Sequence, residues 1–175
     1  MAAVDSGFCS CEQVAVGDLG PVVSTERVGR IVVSPRHFKK DGGLKPGVFP
    51  TSHIQASGLS LFRVDHMTTA EIETQSAAIA GNQKPAGALL CKAERVRTIS
   101  EADTDLRSLC LVDDPVKNDA TLPDNPAHAV ALRTQYRDSN DDPETLRIQL
   151  ELIAMFGGLV ALQDIVEQDK EQLVV

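Results

Sequence analysis

Residues 58–81, GLSLFRVDHMTTAEIETQSAAIAG, decide how this chain folds. Leu59, Leu61 and Val64 are apolar and Phe62 adds a ring, a run whose length and composition predict a strand. Arg63 interrupts it. If side chains alternate, Arg63 shares a face with Leu59 and Leu61, the face that meets the core. A lone charge there is costly, so the guanidinium needs a partner or a place at the strand's end. The chain then turns at Asp65-His66. Thr68 suits a helix N-cap, and Glu71 can reach back to the cap's backbone N–H. Glu71 and Glu73 place negative charge where the helix dipole favours it. Gly81-Asn82 is a natural stop. Strand, corner and helix are each supported by separate residues, and they agree.

Upstream, Arg27–Val33 (RVGRIVV) reads as another strand, ended by Ser34-Pro35 because proline cannot donate to a ladder. The segment from Arg36 to Pro50 is a turn-rich loop with Phe38 and Phe49 as apolar anchors. It is the most basic stretch of an acidic chain. Downstream, residues 86–99 hold a third strand around Leu89-Leu90-Cys91, and Ser100 could start a short helix. Leu109–Val112 and His128–Leu132 complete the strands, separated by the turn-forming DATLPDNP at 119–126. Asp142 and Pro143 open a last helix, with Leu146, Leu150, Ile153 and Val160 at helical spacing. Gly157-Gly158 costs about 1 kcal/mol per glycine against alanine and can kink or break it.

This order is not the regular alternation of a doubly wound fold. It predicts one compact α+β domain, a mixed or antiparallel sheet with helices on one face. Residues 1–24 are expected as a loose arm, 25–136 as the core, and 137–175 as a C-terminal helical segment. Around 152–162 the apolar character covers nearly the whole circumference, which asks for burial on several sides. Leu152, Phe156, Leu159 and Val160 are therefore expected to contact a protein partner, either a second copy or a protein encoded in the same operon.

The net charge is −8, which counts against nucleic-acid binding by the whole surface. No apolar stretch approaches the ~20 residues that span a bilayer. The four cysteines lie at 9, 11, 91 and 110. The spacing of Cys9 and Cys11 is wrong for a zinc knuckle, and with no secretion signal the thiols are expected free in a reducing cytoplasm. Neither a metal nor a cofactor is expected.

His37, His53, His66 and His128 show no helical metal spacing. There is no phosphate-loop, nucleophile-elbow, kinase or Rossmann pattern. Arg36, His37, Lys39 and Lys40 in the basic loop could hold an anion. Asp113-Asp114-Pro115 is a turn or a pair of carboxylates at a strand end. The candidate ligand residues are Arg36, His37, Lys39, Arg63, His66, Asp114 and His128.

The stretch LSLFRVDHMTTAE, with the earlier SPRHF and KPGVF and the later DDPV and PDNPAHAVAL, resembles a group of small bacterial proteins of unknown function. That group pairs an LSVxR strand with a DP…NPAHA segment. The resemblance spans roughly residues 27–133 and implies marked positions at Arg63, Asp114, Pro115, Pro126 and His128. It implies no activity. This chain has LSLFR for LSVxR, which keeps the strand and its arginine.

Two functions follow as expectations. One is a small cytoplasmic bacterial accessory protein acting by protein contact, encoded in a defence- or toxin-related operon. The other is an enzyme or binder of a phosphorylated or nucleotide-like anion, using Arg36, His37, Lys39, Arg63 and His128. Arginine would grip the anion by its fork of donors, and histidine would move a proton near neutral pH.

Overall fold

A computed structural model describes residues 10–12, 16–135 and 142–167. The strands are β1 (Arg27–Ser34), β2 (Leu59–Arg63), β3 (Lys84–Lys92), β4 (Leu109–Asp113) and β5 (His128–Arg133); the α-helices are α1 (Thr69–Ala80), α2 (Ala93–Arg97) and α3 (Pro143–Met155). The strands form one antiparallel sheet in the order β3-β1-β2-β5-β4. The α+β class and the antiparallel sheet are as the sequence predicts.

The helices, however, cover both faces of the sheet. Val28, Val32, Leu59, Leu61, Leu109 and Leu111 point to the side that takes α2 and α3, where they meet Val96, Ile148 and Leu152. Ile31, Val33, Phe62, Ala88 and Leu90 point the other way, against Ile72 and Ala80 of α1. The reason is in the strands themselves. β1 and β3 are apolar at consecutive positions, so each has two faces to bury, and a one-sided layer would leave one of them wet.

Local chemistry sets the helix ends. Thr68 and Glu71 form the capping box: Thr68 N–H donates to Glu71 Oε2 (2.7 Å) and Glu71 N–H donates to Thr68 Oγ1 (3.3 Å). Asp142 caps α3 by accepting from Thr145 N–H (3.0 Å), with Pro143 in the first turn. Gly58 enters β2 at φ +83°, where an added Cβ would lie 2.3 Å from Val130 Cγ1, so only glycine serves there.

Several expectations are corrected. The short helix is Ala93–Arg97, directly after β3, rather than one beginning at Ser100. The last helix stops at Met155, and past Gly157-Gly158 Val160 makes a bridge to Ala88 of β3. The all-round apolar helix therefore does not exist. Leu152 and Phe156 fill this chain's own core, with the Phe156 ring 5.0 Å from that of Phe49; of the four residues assigned to a partner, only Leu159 is exposed. The burial demand behind the expected partner is met within the chain.

Cys11 and Cys110 are not free thiols but a disulfide, with Cα atoms 6.3 Å apart. Beside it, Glu12 Oε1 accepts from Leu111 N–H (2.7 Å), and Glu12 Oε2 takes Arg97 Nε at 3.0 Å. Because β4 is an edge strand, this segment covers an N–H that the sheet leaves unpaired. Cys11 and Glu12 thus belong to the fold, not to a loose arm. Cys9 and residues 137–141 and 168–175 lie outside the described residues.

Candidate functional site

Buried arginines organise the interior, and most are matched to acids. Arg63 is 1% exposed. Its fork takes Glu26 through Nε (2.7 Å) and Nη2 (2.7 Å), while Nη1 donates to Asp113 Oδ1 (2.9 Å) and to Gly20 O (2.8 Å). Burial works to raise the Glu26 carboxyl, but the bonds from Arg63 and from Val23 N–H outweigh it and hold it below the usual range. The partner required by the strand pattern is present, and it exhausts the guanidinium. Arg63 is a fixed strut, not the ligand residue expected of it. Likewise Arg27 is bound to Asp65, Arg97 to Glu12, and Arg133 to Glu101.

Arg30 is different. β1 and β2 pair only at Val28↔Arg63 and Gly29↔Phe62. Beyond that the strands part, and the Arg30 side chain enters the gap: Nη1 donates to Ser60 O (2.8 Å) and Nε to Val48 O (3.0 Å). Among the described residues no carboxylate faces it. Burial, reinforced by Arg36, pulls its pKa down to about 10.

The gap is part of a cavity of about 110 Å³. Its polar lining is Arg30, Arg36, His37, Ser60, Gln75, Asn125 and His128; Ile31, Phe62, Ile72 and Ile79 supply apolar wall. A few convergent polar groups on an apolar surface are the usual composition of a ligand site. At roughly 30 Å³ of liquid volume per water, the space suits a small group such as a phosphate or carboxylate, not a whole nucleotide.

His37 is set by the end of β1. The ladder to β3 slips between Val32 and Val33. Val33 N–H then donates to His37 Nδ1 (3.0 Å), so the neutral ring carries its proton on Nε2. Burial, then Arg30, Arg36 and Lys45, push the His37 pKa down to about 4. Arg36 is exposed, its Nε donating to Gln83 Oε1 (3.1 Å).

Also in the lining, Ser60 Oγ lies 2.5 Å from His128 Nε2. His128 Nδ1 lies 2.5 Å from the backbone carbonyl of Asp114 and 3.5 Å from its carboxylate. A carbonyl only accepts, so Nδ1 carries the proton and Nε2 accepts from the Ser60 hydroxyl. Asn125 accepts from Ala127 N–H through Oδ1 (3.0 Å), and its Nδ2 has no protein partner among the described residues.

Of the seven candidates from sequence, the cavity unites Arg36, His37 and His128, with Asp114 behind His128. Lys39 is exposed in the loop and does not line it. His66 sits beside the Arg63 cluster, 3.5 Å from Glu26, and lines a second, more open cavity of about 210 Å³ that shares Met67, Gln75 and Asn125 with the first. Arg30, Ser60 and Asn125 were not singled out from sequence. Arg30 carried the same signal as Arg63, a charge inside an apolar strand run. Ser60 and Asn125 carried none.

Among the described residues no group of three or more His, Cys, Asp or Glu is placed to hold a metal ion, and no helix is long and apolar enough to cross a membrane. No protein-family model, curated protein or solved structure matches the chain.

Proposed function

We propose that this protein binds a small anion, a phosphate-like or carboxylate group of a small molecule, in the cavity lined by Arg30, Arg36 and His37. The observation that carries the reading is Arg30. Arg27, Arg63, Arg97 and Arg133 each have a carboxylate in contact, whereas Arg30, half-buried, has none among the described residues. Leaving a cation without its counter-charge costs stability, and a ligand anion supplies what the chain omits. Arg36 adds charge and the His37 Nε2–H a neutral donor. The Cys11–Cys110 bond fits work in an oxidising compartment better than in the reducing cytoplasm expected from sequence.

Sulfate is a suitable probe because its charge is constant from pH 5 to 8. In the free protein, the His37 ring titrates with a midpoint near 4. A dianion beside it favours the protonated form and raises that midpoint, so by reciprocity sulfate binds more tightly as pH falls from neutral. The His37 pKa is lowered on folding, so this group's contribution to stability is present above its ordinary value of 6.5 and is lost as pH falls towards 4. Sulfate offsets that loss. NMR of the His37 ring should show a saturable shift with sulfate. Arg30→Met should abolish it, and Arg36→Gln, an exposed change, should weaken it about tenfold, the worth of one charge-assisted contact. Absence of a saturable shift, or full binding by both variants, contradicts the reading.

A further inference from the structure

We infer that Ser60 is a nucleophile with His128 as its general base, and that the cavity hydrolyses a small carboxylic ester. The choice of an anionic acyl group rests on the anion reading above; the nucleophile does not.

The geometry has the parts such chemistry needs. The hydroxyl oxygen lies 2.5 Å from the ring nitrogen that must take its proton. The other ring nitrogen is bound to the Asp114 carbonyl, which fixes the tautomer, and the Asp114 carboxylate lies 3.5 Å away. Neither group is sealed in the core: both line the cavity, and both are only partly buried. Asn125, also in the cavity lining, has in its Nδ2 a donor with no protein partner among the described residues, available to the oxygen that gains charge. The larger cavity sharing the Asn125 wall gives the leaving alcohol room.

The reaction consumes only the ester and one water. Ser60 Oγ attacks the carbonyl carbon while its proton passes to His128 Nε2. The tetrahedral intermediate collapses, the bond to the alcohol oxygen breaks, and that oxygen takes the proton from Nε2. Water then attacks the acyl-Ser60 ester, again giving a proton to Nε2. Collapse releases the carboxylic acid and returns the proton to Ser60.

The chain-order and motif signals of known serine hydrolases are missing because Ser60 lies within a strand and not on a strand-to-helix elbow. The pair is instead assembled across the β2–β5 ladder. There Phe62 pairs with His128, and Ser60 lies two positions along on the same face.

The test uses the whole protein and two chromogenic esters, 4-nitrophenyl acetate and mono-4-nitrophenyl succinate, with a fluorophosphonate as covalent probe. Wild type is expected to hydrolyse both esters, favouring the succinate about tenfold in kcat/KM. The fluorophosphonate should attach to Ser60, as located by peptide mass spectrometry. Ser60→Ala should lose both activities and the label. His128→Gln should lose at least about 100-fold while keeping its fold by circular dichroism. Arg36→Gln should lower kcat/KM for the succinate about tenfold, the worth of its contact with the anionic end. An unlabelled Ser60 with normal sulfate binding overturns the nucleophile and leaves the anion site standing. Labelling and hydrolysis without preference for the succinate overturn the anion reading alone. Labelling that survives in His128→Gln overturns the role of the base.

Discussion

Replacing Arg63 with methionine lowers the free energy of unfolding by roughly 3–5 kcal/mol at neutral pH. The size follows from what is left behind. Glu26 and Asp113 remain in the interior, the Asp113 side chain with no exposure at all, and the guanidinium that joined them is gone. For a protein with about 5–15 kcal/mol in total, that is a large fraction. At about 2–4 °C per kcal/mol for a chain of this size, the melting temperature falls by roughly 6–20 °C.

The pH dependence gives the prediction a signature. In the wild type the Glu26 pKa is depressed, so its contribution is present above the ordinary 4.5 and is lost as pH falls through the folded value. In the variant burial still favours the neutral acid, and only the Val23 N–H bond and His66 are left to oppose it. The gap between wild type and variant should therefore narrow as pH falls below about 4.5. Adding Glu26→Gln to Arg63→Met should recover part of the loss. Urea unfolding measures all three. A gap under about 1 kcal/mol at pH 7, the scale of a surface ion pair, would sink the claim that this cluster holds the β2 corner.

Reduction of Cys11–Cys110 is the second large effect. The bridge spans 99 positions, so it constrains most of the unfolded chain. A loop of about 100 residues corresponds to about 4.7 kcal/mol in the chain-entropy model, against a usual range of 2–5 for native bridges. The bonds of Glu12 to Arg97 and to Leu111 N–H do not involve the bridge, so they should limit the native-state rearrangement on reduction. Dithiothreitol should therefore lower the melting temperature of the wild type by many degrees. The Cys11→Ser/Cys110→Ser variant should match the reduced wild type and ignore the reductant. Mass spectrometry of the unreduced protein should find the two peptides linked. A wild type indifferent to reductant contradicts the assignment.

The comparison of sequence with structure divides along range. Thr68 with Glu71, and Asp142 with Pro143, are local devices, and each marks a helix start that the structure has. Arg63 was legible as a charge that needed a partner, because strand alternation puts it on the core face. Its partners were not, since Glu26 precedes β1 and Asp113 ends β4. Cys11 and Cys110 are similarly remote, and nothing local to either marks it as half of a bridge and not a free thiol. The apolar spacing runs on past Met155 as a helix would, because a spacing pattern cannot see that Val160 has a backbone partner in β3. At the site, Arg36, His37 and His128 were chosen for their chemistry alone. What unites them is the parting of β1 from β2 and the turn that carries His37 back to Val33. Ser60 and His128 are 68 residues apart, and only the β2–β5 register makes them neighbours.

The most direct test of the anion site is crystallographic. Crystals grown with selenate, a heavier tetrahedral dianion, report its position by anomalous scattering from selenium. A peak inside the cavity, within hydrogen-bonding distance of Arg36 or His37 and close to the Arg30 guanidinium, is the predicted result. Selenate found only on the outer surface, with the cavity holding water, would contradict it.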